Sequence, residues 1–133
     1  KKNTSSSTSQ EAVKKEKENV PLYYDFGDVL IPNELKVDKG SSFIVQFPGF
    51  STGILALKGH IEKNSLIAFF QNNMAKDNWQ EIFLFKSPQT RTFMLFQKEN
   101  RRCIISINEK ELNTYVEIGV APAINEPEPG LLK

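Results

Sequence analysis

The stretch Ile61 to Trp79, IEKNSLIAFFQNNMAKDNW, carries the one convincing amphipathic helical pattern in the chain. Leu66, Phe69, Phe70 and Met74 recur at i, i+3, i+4 and i+8, which lines four large apolar groups along one stripe of a 3.6-residue helix. Gln71, Asn72, Lys76 and Asp77 fall largely off that stripe. Asn64 or Ser65 is placed to cap the first turn through a side-chain oxygen, and Asn78 to close the last turn in a left-handed conformation. Burying the stripe contributes about 6–12 kcal/mol gross, the same order as the whole net stability of a domain, about 5–15 kcal/mol. A helix this short does not hold by itself in water. It must lie on something, and every other regular stretch reads as strand.

Before the helix, Ser41 to Phe47 and Ile54 to Ile61 read as two strands of a hairpin, joined by the turn-rich Pro48 to Gly53. After it come four further strand-like runs, Trp79 to Lys86, Thr90 to Gln97, Arg102 to Asn108 and Thr114 to Ala121, of which the last two set one apolar face against a more polar one. The turns between them are too short for parallel crossovers, so the pairing is expected to be antiparallel. The order β-β-α-β-β-β-β then predicts an α+β fold: a single antiparallel sheet of five to six strands with one helix packed on one face. Cys103, Ile105 and Ile107 share a face, as do Val116, Ile118 and Val120. Ile82, Leu84, Met94 and Phe96 are assigned to the face opposite the helix, as a second buried layer covered by the segment leading into the domain rather than as an interaction surface.

That lead-in segment, Val20 to Lys39, holds Pro21 and Pro32 and is expected to be extended or turn-like. Its Leu22, Tyr23, Tyr24 and Phe26 are too apolar for a solvated linker and are expected to pack against an edge of the domain. The other reading makes Tyr23, Tyr24 and Phe26 an exposed aromatic binding patch. Residues 1–19 read as a Ser/Thr/Lys-rich tether without the apolar content to offset its ordering entropy. Residues 20–122 form the single domain, and 123–133 a Pro-rich tail. Asn3-Thr4-Ser5 matches the N-glycosylation triplet, which chance in a Ser/Thr-rich tail accounts for.

Composition removes several classes of function. The 133 residues suffice for one domain. Lys and Arg number 17 against 16 acidic residues, so there is no electrostatic case for nucleic acid. No run approaches 18 apolar residues, so no helical segment spans a membrane. The single cysteine, Cys103, rules out an intramolecular disulfide and leaves a zinc site no second thiolate.

The motifs that could carry catalysis fare poorly. Gly49-Phe50-Ser51-Thr52-Gly53 matches G-x-S-x-G, but that elbow needs a strand before the serine and a helix after it, and here a strand-like run follows. His60 is the only histidine and lies in that same run, without the acid that would orient a general base. Cys103 follows Arg101 and Arg102, which favours a reactive thiolate, yet its alternation with Ile105 and Ile107 makes it a small core hydrophobe. No catalytic, cofactor-binding or metal-ligating set emerges, and no enzyme is expected.

The run GFSTGILALKGHIEKNSLIAFFQNNMAKDNWQEIFLFKSPQT, with RRCIISI and NTYVEIGVAP after it, resembles small bacterial envelope lipoproteins of unassigned function. The likeness covers roughly Phe47 to Pro122 and rests on Leu66, Ile67, Phe69, Phe70, Asn73, Met74 and Trp79. The Phe85-Lys86-Ser87-Pro88 turn, Val116-Glu117-Ile118 and Val120-Ala121-Pro122 extend it. The resemblance implies a secreted protein held in the bacterial cell envelope by a lipidated cysteine upstream of Lys1, so that membrane contact is through that anchor alone. The expected function is a non-enzymatic interaction module for an envelope protein or cell-wall component, working through the open sheet face, a strand edge or Tyr23–Phe26. The alternative is a carrier of a small apolar ligand, in a pocket between helix and sheet lined by Phe69, Phe70, Phe83 and Phe85.

Overall fold

The computed structural model describes residues 20–89 and 91–123. The expected tether at 1–19, with its glycosylation triplet, and the tail from 124 onward lie outside the described residues. Within them the chain forms nine strands and one α-helix: β1 (Leu22–Tyr23), β2 (Leu30–Ile31), β3 (Leu35–Val37), β4 (Phe43–Phe47), β5 (Phe50–Gly59), α1 (Lys63–Lys76), β6 (Gln80–Lys86), β7 (Arg91–Lys98), β8 (Arg101–Lys110) and β9 (Asn113–Pro122).

The expectation of an α+β fold with a single sheet of five to six strands is corrected. The molecule is mostly β, in two sheets: a two-stranded β1–β2 ribbon, and a seven-stranded sheet ordered β3-β5-β9-β8-β7-β6 with β4 also on β5. All pairings are antiparallel. The additional strands, β1 to β3, all come from the lead-in segment that was expected to be extended or turn-like. Pro21 precedes β1 and Pro32 follows β2, so each proline sits just outside a two-residue strand and breaks no ladder. Beyond them, β3 pairs with Leu57 to Gly59 of β5 while β4 pairs with Phe50 to Ile54. The two short strands lie end to end along one edge of β5, separated by a 3-10 turn at Lys39–Ser41 that Asp38 caps. The sheet is therefore six positions wide and its outer edge is broken.

The helix begins at Lys63, two to three residues earlier than a cap at Asn64 or Ser65 implies, and Glu62 takes the capping role. Its carboxylate accepts from the amides of Asn64 at 2.9 Å and Ser65 at 3.0 Å, satisfying two of the orphan donors of the first turn. Glu109, at the end of β8, accepts from the amide of Lys63. After the last turn Asn78 takes φ 71, the left-handed conformation that ends the helix.

The core lies between α1 and one face of the large sheet. Leu66, Ile67, Phe70 and Met74 of the helix meet Leu55, Leu57, Met94, Phe96, Cys103, Ile105, Ile107, Val116, Ile118 and Val120, all buried. Phe26, Val29, Ile31 and Leu35 of the lead-in segment complete the same cluster. Phe69 is only half-buried and stands edge-on to Phe70, 5.7 Å between centroids. Trp79 closes the end of the helix and donates from Nε1 to the carbonyl of Asp28 at 2.8 Å.

Candidate functional site: an apolar row across the open sheet face

A strand shows alternate residues to opposite faces. The pattern of buried residues fixes which face each takes. In β7, Thr92, Met94 and Phe96 are buried under α1, so Phe93 and Leu95 point away from it. In β6, Leu84 packs on the core while Phe83 and Phe85 remain exposed. This reverses the assignment made from sequence. Met94, Phe96 and Leu84 belong to the helix-covered face, and Phe83 and Phe85 to the other. Both phases of β6 and β7 are apolar, so alternation defines the two sets without saying which one the helix covers. A register shift between Glu81 and Phe83 adds to the ambiguity: Ile82 is the extra residue, and Glu81 is thereby kept on the helix side, where Gln71 donates to it.

On the open face, paired residues line up across the full width of the sheet. Phe43 pairs with Ile54, Ile54 with Gly119, Gly119 with Ile104, Ile104 with Leu95, and Leu95 with Phe83. Six strands in register make a row about 24 Å long at roughly 4.8 Å per strand. Phe43 is 71 % exposed, Ile54 48 %, Ile104 43 % and Phe83 44 %. Next to the row, the line Ala56, Glu117, Ser106, Phe93, Phe85 broadens it at the β6 edge, where Phe85 is 59 % exposed. The exposed apolar side chains are thus contiguous along the row rather than scattered singly over the surface.

Glycine shapes the row. At Gly119 there is no side chain between Ile54 and Ile104, and a Cβ there would come 3.3 Å from Ile104 Cγ2. Gly53, at φ 135, passes so close to Phe43 that any side chain would collide with its carbonyl oxygen. The result is a hollow of about 440 Å³ between Ile54 and Ile104, with Arg102 on its rim. A second hollow of about 440 Å³ lies on the other side of Ile104, among Phe83, Phe85 and Phe93.

Cations border the row on both sides. Along the strands in one direction, Lys36, Lys58, Tyr115, Asn108 and Arg91 form the second line beyond it. Lys58 sits over the Tyr115 ring at 5.9 Å. In the other direction Arg102 stands two residues from Ile104. Glu117 is the one carboxylate within these lines, 3.9 Å from Arg91 with both side chains about half exposed, which makes a weak, screened pair.

The residues singled out from sequence are scattered. Tyr23, Tyr24 and Phe26 do not make one exposed patch: Phe26 is 2 % exposed in the core, while the Tyr23 hydroxyl donates to both carboxylate oxygens of Asp77 at 2.9 and 3.2 Å. That hydrogen bond, with the Asp77 charge beside it, raises the Tyr23 pKa. Tyr24 is exposed. The suggested ligand pocket is divided by the sheet, with Phe70 buried on the helix side and Phe83 and Phe85 exposed on the other. Ser51 is the second residue of β5, and His60 follows its far end, about 30 Å away at roughly 3.3 Å per residue. His60 Nδ1 donates instead to the carbonyl of Leu112 at 2.9 Å. Cys103 is fully buried and burial pushes its thiol up to about 12, the opposite of a reactive thiolate.

Sequence reasoning missed a polar cluster where the lead-in segment meets the β7–β8 turn. Asp28 accepts from Arg101 and from Lys98, the latter at 2.9 Å, and both cations lie over the Trp79 ring at 4.9 and 5.7 Å. Burial pushes the Asp28 carboxyl up, but the hydrogen bonds and charges of Arg101 and Lys98 outweigh it and hold the pKa below the ordinary value. The cluster ties the lead-in segment to the β7–β8 turn, with one carboxylate set against two cations. Among the described residues no group of three or more His, Cys, Asp or Glu could hold a metal ion, and no helix is long and apolar enough to cross a membrane.

No protein-family model, curated protein or solved structure matched the chain.

Proposed function

We propose that this protein is a non-enzymatic interaction module of the bacterial cell envelope, and that it engages a protein or cell-wall partner through the open face of its large sheet. One observation carries the docking half of the reading: the in-register apolar row Phe43–Ile54–Gly119–Ile104–Leu95–Phe83, exposed on a sheet whose other face is closed by a helix. The envelope half rests on the resemblance of Phe47 to Pro122 to small envelope lipoproteins, with a lipid-anchored position as its consequence.

Each half has its own test. Radiolabelled palmitate fed to cells expressing the gene from its natural start should label the protein and place it in the membrane fraction. An unlabelled protein in the cytosolic fraction would remove the envelope assignment. A photo-crosslinking amino acid placed at Phe83 or Ile104 should trap a partner in those cells, while the same group at Asn72 on the exposed side of α1 should not. Equal trapping at the helix position would remove the face as the site.

A further inference from the structure

We infer that the open face seats an amphipathic helix of a partner protein whose apolar ridge is bordered on both sides by carboxylates. The inference rests on the interaction-module reading and names its partner class. Three features of the face lead to it.

The first is charge. The row runs along a channel with Lys58 and Arg91 on one side and Arg102 on the other. The two borders are six residues apart along the strands, about 20 Å. A helix with its side chains is roughly 10–12 Å across, which leaves room for carboxylates to reach each border. Only Glu117 opposes those cations from within the face. A second copy of this chain is the poorer occupant. A two-fold axis along the channel lays the Arg102 border on the Lys58–Arg91 border, and one across it lays Lys58 on Arg91. Either brings like charges together, at a cost in an interface.

The second is shape. The hollows lie two strands apart on either side of Ile104, about 9.6 Å across the strands, and are offset by two residues along them, about 6.6 Å, which puts their centres roughly 12 Å apart. Residues i and i+7 on one helix face repeat at about 10.5 Å. An extended chain repeats same-face side chains at about 6.6 Å and then 13 Å, so the choice of a helix rests on width: a rod of about 10–12 Å fills the channel between the two charged borders, and a single extended strand does not. The partner ridge then carries large apolar residues seven apart, with a small residue between them over Ile104. Recesses of this kind favour side-chain knobs over a flat bilayer surface.

The third is openness. Small-ligand sites enclose about 70–90 % of their ligand, and a sheet face without walls does not. A macromolecule that brings its own second wall does.

The test uses a synthetic peptide of about 22 residues, roughly three heptads, with leucines on one face and glutamates along both borders. Its counterparts carry lysines in place of the glutamates, or the same composition scrambled. Fluorescence anisotropy with the full chain should show the acidic peptide binding at least about tenfold tighter than either counterpart, with an affinity that falls as salt rises. Ile104→Asp should abolish binding. Lys58→Glu combined with Arg102→Glu should leave the far-UV circular dichroism unchanged and invert the preference towards the basic peptide. Equal binding of acidic and basic peptides, or a preference the charge reversal does not move, overturns the inference. So does association with phosphatidylglycerol vesicles without binding to the acidic peptide, or a dimer in sedimentation that Ile104→Asp dissolves. If Phe83 and Ile104 trap a partner in cells while the acidic peptide shows no preference, the helix inference falls and the interaction module stands. If neither position traps anything, both fall.

Discussion

Phe69 and Phe70 are adjacent in sequence and unequal in the structure. Phe70 is 0 % exposed between α1 and the sheet, whereas Phe69 is half-buried and contributes its edge to the Phe70 ring. Phe70→Ala should therefore cost about 3–5 kcal/mol, and Phe69→Ala clearly less, in urea unfolding at neutral pH. Equal losses would mean that the helix is rotated about its axis. The helical spacing in the sequence selected Leu66, Phe69, Phe70 and Met74, while the buried set is Leu66, Ile67, Phe70 and Met74. One residue of helix turns 100°, and an apolar arc wide enough to include both Ile67 and Phe69 does not reveal its own centre. Asp28 gives a second prediction. Its folded pKa is depressed, so its contribution to stability is fully present above the ordinary aspartate value of about 3.9 and is lost as the pH falls through the lower folded value. Unfolding midpoints measured down that range should drop for the natural protein, and Asp28→Asn should remove part of the drop while lowering stability at neutral pH. An unchanged pH profile in the variant would show that Arg101 and Lys98 are not held by this carboxylate.

At the level of elements, the four strands after the helix are legible because short polar turns separate them and Pro122 stops the last. β8 and β9 could be assigned to faces as well as located, since only one phase of Cys103–Ile107 and Val116–Val120 is strongly apolar. β6 and β7 could not. Phe83, Phe85, Phe93 and Leu95 compete with Leu84, Met94 and Phe96, and the bulge at Ile82 shifts the phase within β6 itself. The candidate site was thus present in the sequence as a surplus of apolar residues, but was placed under the helix. β1 to β3 were illegible for another reason. Strands of two or three residues have no period to detect, and they are ordered by the neighbours they pair with, as Leu35 is by Gly59. The start of α1 shows the same dependence on context. Asn and Ser are the commoner caps, yet Glu62 takes the role, and its two backbone hydrogen bonds lower its pKa at the positive end of the helix. Glu62→Ala should speed hydrogen exchange at the Asn64 and Ser65 amides and reduce thermal stability. Acidification should do the same to the natural protein as the pH falls through the depressed Glu62 value. Unaltered exchange at those amides would show that the Glu62 carboxylate does not hold them.

For the molecule as a whole, the large sheet divides two tasks between its faces, and neighbouring residues of one strand belong to different tasks. Ile105 is 0 % exposed beneath α1, and Ile104 is 43 % exposed on the other side. A sheet with one covered face draws its stability from that face, so the open face is free to be apolar for another reason. Ile105→Ala should cost about 2–5 kcal/mol. The triple variant Phe43→Thr, Ile54→Thr, Ile104→Thr keeps β-favouring residues at every position, and each change at an exposed site should stay within about 0.5 kcal/mol. Its unfolding midpoint should therefore lie close to that of the natural protein, while its binding of the hydrophobic dye ANS and its cross-linking in cells should fall together. The comparison also separates the two explanations for an apolar open face. If the row were a second core layer covered by some other part of the chain, the triple variant would unfold as readily as Ile105→Ala. If the row is kept for a partner, it gives up the partner and keeps the fold.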